Sequence, residues 1–277
     1  MKSRSRFDVV AHYGAALLLV GFVAFPLAWM AIASVTAAGQ LFTSPPRLFP
    51  SEFTLDWYRS VWSASEAPRF FMNSLVIALA TTVACVIIGI LSAYATTRFE
   101  FPGKQLFLVG ALASYVFPAI LLFLPVYLIL TGLGLTNTLV GIVVAHIVVS
   151  FPFAVWMLRS YLLAIPRELD EAAWVDGASY LRTLISVVLP VCLPGVFSTA
   201  IFIFVLSWNE FLFASVIAES SRNKTITVGI AEFITAFDVR WGEIMALGTI
   251  ATVPVVILFI SVQRYFLKGV LEGAVKG

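Results

Sequence analysis

In a chain this apolar, chemistry has to come from the few polar residues that fall inside apolar runs, and Glu210 is the first of these. It is the only carboxylate well inside a run long enough to cross a bilayer. An uncompensated charge in hydrocarbon costs several kcal/mol, so Glu210 should face the bundle interior or water. A continuous helix there puts Ser207, Glu210, Phe211 and Ala214 on one face, with Trp208 and Asn209 flanking it. Hydrogen-bonding groups beside aromatic rings suit a sugar path; a hydrogen bond from Glu210 to another helix is the competing use. About 15 residues at 1.5 Å each from Gly195 place Glu210 roughly 22 Å from the inner end, towards the external mouth. His146 lies in another apolar run, where a lone histidine more often bonds helix to helix than acts as a ligand or proton relay.

A second group of chemically capable residues lies in the connection 160–194. Pro166 suits the first turn of a helix, since the N–H it lacks would have no partner there, and Glu168, Asp170 and Glu171 put negative charge at the positive helix start. Gly177 can take the left-handed conformation that ends a helix. A helix can then resume from Tyr180 to Leu189, until Pro190 and Pro194 interrupt it. Ala172 and Ala173 are small enough for close approach of another protein, and Glu171, Asp176 and Arg182 offer charge-assisted contacts. A linker helix resting on the membrane surface would look the same.

The elements that position these residues follow from composition. The 277 residues are 61% hydrophobic and 12% charged, against about a quarter charged in soluble domains. The solvent is therefore lipid and the elements are helices. Six apolar runs, near 13–34, 71–96, 106–130, 139–158, 195–217 and 243–266, predict an all-α membrane protein that is one transmembrane domain over 1–277. With the N-terminus inside, Lys2, Arg4, Arg6, Arg98, Lys104, Arg159, Arg167, Arg182, Arg264, Lys268 and Lys276 fall on the inner side, eleven of the seventeen basic residues. Arg47, Arg59, Arg69, Arg222, Lys224 and Arg240 fall outside, which favours N-in and C-in. The first run is longer than the 7 to 15 apolar residues of a signal peptide and is expected to stay as an anchor. Gly132, Gly134 and Asn137 supply turn chemistry between the third and fourth runs.

The external loop 35–69 carries Trp57, Tyr58 and Trp62, expected to lie at the headgroups. The external loop 218–242 holds an apolar stretch, 226–233, too short to span, which either reaches into a partner or folds back onto the bundle. Pro118, Pro125, Pro152 and Pro254 lie within spans and can kink them. Cys85 and Cys192 are expected to be packing residues, with no disulfide or metal site.

The run Glu171-Ala172-Ala173, then Gly177, then Leu189-Pro190 resembles the EAA loop of ABC importer permeases, with Val187 where that pattern has Ile. In that family the loop is the coupling helix that seats in a cleft of the ATPase subunit. The resemblance therefore assigns Glu168, Glu171, Ala172, Ala173, Asp176, Gly177, Leu189 and Pro190 to ATPase coupling. Asn73-Ser74-Leu75, the 133–138 turn, Phe151-Pro152-Phe153, 165–169, Trp208-Asn209-Glu210-Phe211 and the 273–277 end are similar to the smaller permease of the maltose and oligosaccharide branch. That branch implies a second permease as heterodimer partner, two ATPase subunits carrying ATP and Mg, and an external solute-binding protein that delivers sugar. It implies that Ser207, Trp208, Asn209, Glu210 and Phe211 line the path, and that Thr225, Val228, Gly229, Ile230 and Glu232 meet the binding protein. It also places the protein in a bacterial or archaeal cytoplasmic membrane.

The chain itself is not expected to bind a cofactor or hydrolyse ATP. Pro102-Gly103-Lys104-Gln105 lacks both the earlier glycine and the following hydroxyl of a phosphate loop. An ion-driven secondary transporter would need several intramembrane acids or interrupted repeats. An intramembrane enzyme would need a convergent nucleophile and base or a metal set, and neither a His-Glu-x-x-His nor a Gly-x-Ser-x-Gly string occurs.

Overall fold

The computed structural model describes residues 6–45, 48–63, 65–235 and 238–274, with side chains described between 12 and 261. Lys2, Arg4, Arg47 and residues 275–277 lie outside these, as do the side chains of Arg6, Arg264 and Lys268. The elements are α1 (Arg6–Ala33), α2 (Asp56–Ser63), α3 (Ala67–Arg98), α4 (Lys104–Val116), α5 (Ala119–Gly132), α6 (Leu139–Leu163), α7 (Glu168–Val175), α8 (Tyr180–Thr183), α9 (Leu189–Trp208), α10 (Leu212–Ile217), α11 (Ile226–Ala231) and α12 (Trp241–Ala274). Among the described residues the only β pairing is two isolated bridges, as expected where lipid offers no hydrogen-bond partner and each helix satisfies its own backbone.

Among the described residues, five helices are long and apolar enough to cross a membrane: His12–Ala33, Ala67–Arg98, Leu139–Leu163, Tyr180–Trp208 and Trp241–Ser261. The expected third span is not one helix. It is α4 and α5, bent by 109° between Val116 and Ala119. Pro118 disfavours helical backbone in the residue before it, and Phe117 is extended, at φ −68° and ψ 133°. The bent pair still runs between opposite ends of α6. Lys104 at its start bonds Phe99 O just beyond α3, near Arg98, whose side chain reaches Ile165 after α6. Its far end leads to Asn137, whose N–H donates to Ile217 O, beside the start of α6. Counted as one crossing, it completes six.

The fifth span also differs from expectation. Pro190 and Pro194 do not interrupt it, and one apolar stretch runs from Tyr180 to Trp208. Leu184–Val188 is wound as a π-helix immediately before Pro190. That wider turn takes up the missing N–H and the ring volume that would break an α-helix. The connection 160–194 thus contains α7, a turn and the start of a span.

The chain divides into two compact units. In the first, Met1–Pro68 with Ile230–Val253, α1 is apolar and largely exposed. Trp57 Nε1 donates to Thr36 O at 2.7 Å, Tyr58 Oη is 2.7 Å from Ser34 Oγ, and the Trp57 ring fills the space beside Gly242. Trp57 and Tyr58 are half-buried and pack within this unit, each with a polar partner for its tip. Trp62 remains exposed.

The second unit, Arg69–Gly229 with Pro254–Gly277, holds the main core in tiers along α6. One tier joins Ile77, Leu130, Ile142, Phe213, Ile217 and Val228. Another joins Ile90, Leu158, Leu162, Leu184, Val188 and Cys192. Cys85 packs between them with Ala154 and Ile203, and both cysteines are buried free thiols.

Candidate functional site

The α7 segment is hung from the end of α3 by charge. Asp170 and Arg98 are buried, with Arg98 Nε 2.9 Å from Asp170 Oδ2, and Tyr94 Oη donates to Asp170 Oδ1 at 2.8 Å. Arg98 also donates to Ile165 O at 3.1 Å, and Arg167 donates to Thr97 O at 2.6 Å. A buried ion pair is tolerated best when its remaining donors and acceptors are satisfied. Tyr94 takes up Asp170 Oδ1 and the Ile165 carbonyl takes up Arg98 Nη2, while Nε and Oδ2 face each other in ionic contact without hydrogen-bond geometry. With Asp170 and Ala173 turned inward, Glu168, Glu171, Ala172, Val175 and Asp176 are exposed. Their spacing makes one helical face.

The helix ends as expected at Gly177, which takes φ +82°. Ala178 N donates to Ala173 O and Gly177 N to Trp174 O, the paired bonds of a Schellman turn. Phe99 stacks within 6.4 Å of Trp174 and meets Tyr180 edge-on at 4.9 Å, which fixes the turn against α3. Leu189 and Pro190 lie apart from this face: Leu189 is partly buried on the core and Pro190 is exposed. An i,i+4 pair with an exposed carboxylate sits close by, where Lys104, 2.8 Å from Glu100, holds that carboxyl below its ordinary value.

The Glu210 region is not a continuous helix. The α-helix stops at Trp208 and α10 restarts at Leu212, so the face expected for Ser207, Glu210, Phe211 and Ala214 does not exist. Glu210 makes the break. Its carboxylate accepts from Phe213 N at 2.9 Å and Ala214 N at 3.1 Å, satisfying the free N–H groups that start α10. It also receives His146 Nε2 at 3.0 Å, while His146 Nδ1 lies 2.7 Å from Ser207 Oγ. A neutral imidazole that donates from Nε2 and accepts from the serine satisfies all three groups. His146 and Glu210 thus bond helix to helix. Trp208 is buried, stacked on Phe204 at 5.7 Å and edge-on to Phe71 at 5.6 Å, with no free face for a sugar. Asn209 and Phe211 are exposed.

The short apolar stretch beyond α10 folds back. Ile226 N donates to Ser74 Oγ at 2.8 Å, and Thr227 Oγ1 donates to Glu210 O at 2.8 Å. The Phe70 ring occupies the space beside Gly229. Thr225, Val228 and Gly229 are buried, Ile230 is partly buried and Glu232 is exposed.

The sequence alone does not mark Asp170, Arg98, Tyr94 or Asn137 as site residues. The signal for Asp170 was its place three residues before Ala173 on the inward face of α7; its partner 72 positions earlier left none in a single chain.

Apolar helices of bilayer length, a polar junction inside the bundle and a surface helix held by a buried ion pair define a multi-pass membrane protein of the transport type. Residues 85–272 match the model of the family described as the binding-protein-dependent transport system inner membrane component, and the chain belongs to that family, the permease subunits of ABC importers in the cytoplasmic membrane. It is 36% identical to the trehalose/maltose transport system permease protein MalG of Thermococcus litoralis, over 95% of each chain. It is 34% identical to the inner membrane ABC transporter permease protein YcjP of Escherichia coli, over 96% of this chain and 95% of that one. A bacterial ABC transporter involved in the import of the acidic polysaccharide alginate contains a chain of the same fold, with TM-score 0.81 and 20% identity over 96% of this chain and 100% of the other.

Proposed function

We propose that this chain is one permease of an ATP-driven importer for a di- or oligosaccharide. It forms half the translocation path, beside a second, different permease. Two ATPase subunits carry the ATP and Mg, and an external solute-binding protein delivers the sugar. The observation that carries this is α7: a short helix with one face locked inward through Asp170 and Arg98 and the opposite face exposed. A helix fixed in that way transmits a push along its length without rolling. Glu168, Glu171, Ala172 and Asp176 meet the ATPase, Ala173 packs inward, Gly177 sets the turn, and Leu189 and Pro190 pass the motion into α9.

On this reading α7 lies on the cytoplasmic side, with N-in and C-in. The relatives named for trehalose, maltose and diacetylchitobiose support a sugar as cargo. Among the residues assigned to the path, Asn209 and Phe211 face it, while Ser207, Trp208 and Glu210 hold the helix break that presents them. Of the 225–232 group, Glu232 is exposed and Ile230 partly so, which supports these two as the contacts of the binding protein; Thr225, Val228 and Gly229 are buried.

The test is to purify the chain from its native membrane under mild detergent and to follow uptake of labelled maltose, trehalose and longer saccharides into vesicles. The expected result is co-purification of an ATPase and uptake that depends on ATP. Uptake that follows an ion gradient without ATP, with no ATPase attached, would overturn the proposal.

A further inference from the structure

The segment between α10 and α11 has no regular structure beyond one 3-10 turn at Ser221–Asn223, yet it is bonded along its length to two other parts of the bundle. Asn137 is the centre of this. It is the one non-glycine residue with positive φ, 53°, among those described, a conformation that asparagine tolerates better than most side chains. Its N–H donates to Ile217 O at 2.8 Å. Its Oδ1 accepts from Ser220 N at 3.0 Å, Ser220 Oγ at 2.8 Å and Asn223 Nδ2 at 3.1 Å, and its own carbonyl also receives Asn223 Nδ2. From the other side, Asn73 Nδ2 donates to the carbonyls of Arg222 and Lys224, each at 2.9 Å, and Ser74 receives Ile226 N. Most of these bonds go to main-chain groups of the segment. They set its path while leaving Glu219, Ser221 and Arg222 exposed at its rim.

We propose that Asn137 is a positioning residue that pre-orders residues 217–226 as a rigid platform for the external solute-binding protein. This rests on the importer reading above, in which that protein docks at this end. A loop already ordered before docking spares the complex the entropy of ordering it, and the saving appears as affinity. Asn137 does two separable things: it adopts the left-handed conformation, and it supplies the Oδ1 acceptor.

Asn137→Gly keeps the first and removes the second; Asn137→Asp keeps both. The experiment uses the assembled transporter in nanodiscs with the solute-binding protein that stimulates its ATP hydrolysis. Hydrogen exchange of the amides in 217–226 should accelerate about tenfold in Asn137→Gly and stay near wild type in Asn137→Asp. The concentration of binding protein giving half-maximal stimulation should rise about tenfold in Asn137→Gly, with the maximal rate retained, and recover in Asn137→Asp. Unchanged exchange in Asn137→Gly overturns the platform. Equal acceleration in both variants overturns the role of the acceptor. Faster exchange with an unchanged half-maximal concentration overturns the link to docking. If wild-type ATP hydrolysis fails to respond to any solute-binding protein, the importer reading falls, while the exchange result still decides the platform.

Discussion

The two ends of the second unit each hold a connecting segment against α3 and its neighbours, and they do so by opposite means. At one end, α7 is fixed by side chain against side chain: Asp170 with Arg98 and Tyr94, all buried. At the other, residues 217–226 are fixed by neutral amides and hydroxyls that address mostly main-chain groups: Asn137, Asn73 and Ser74. A buried charge pair defines one rotation and one depth of a helix, because any other setting strands an ion in a medium that cannot solvate it. Main-chain hydrogen bonds define a path and leave the segment's own side chains free to vary. The first arrangement suits an element that must transmit force, the second an element that must present a surface.

The comparison breaks most easily at Asp170. Asp170→Ala leaves Arg98 buried without its counter-charge and should cost about 3–5 kcal/mol. The thermal midpoint of the purified assembly should fall, and ATPase should be lost on purification. Replacing the pair together, Arg98→Met with Asp170→Leu, should restore most of the stability. A single replacement as mild as the double would mean that the charges do not set the position of α7. The next effect belongs to Glu210, whose carboxylate caps α10 and receives His146. Glu210→Ala should cost about 2 kcal/mol, as the loss of a helix cap together with a buried hydrogen bond. Glu210→Gln keeps one acceptor in place and should recover about half of that by the same measure.

Residues 166–177 show how much was legible. Pro166, the acidic first turn and Gly177 carry local rules, and the helix and its left-handed end follow from them. Asp170 looked like one more acid at a helix start, because the arginine that makes it different lies on another span. The break at residues 209–211 was hidden for the same reason. The apolar run continues through it without glycine or proline, and what ends the helix is a carboxylate partnered by His146 from α6. The prolines show the limit of local rules from the other side. Pro118 bends its span by 109°, while Pro194 sits inside one unbroken helix. Which outcome follows depends on whether neighbouring turns can widen, as Leu184–Val188 does before Pro190.

Smaller effects sharpen the comparison at the α7 end. Gly177 takes φ +82° with open space around it, so a side chain there meets no clash and only the backbone conformation is strained. Gly177→Val should cost about 1–2 kcal/mol. It should weaken ATPase association or coupling while leaving the sugar affinity of the binding protein unchanged. Unimpaired ATP-dependent uptake in that variant would show that the turn does not set the angle of α7.

The smallest effect should come from Glu100 and Lys104, chemically the same kind of pair as Asp170 and Arg98 and close to them, but with Glu100 open to water. Lys104 holds the Glu100 carboxyl below its ordinary value. Any stabilisation from that group is therefore present at neutral pH and lost as pH falls through the carboxylate range. Water already solvates the Glu100 carboxylate, and pairs open to water contribute little. Glu100→Gln should leave the thermal midpoint and its pH dependence unchanged within error. If it lowered the midpoint as far as Asp170→Ala does, attraction between opposite charges alone would explain how α7 is held. If only the Asp170 variant responds, the cause is burial, which makes a misplaced charge costly and so forces α7 into one position.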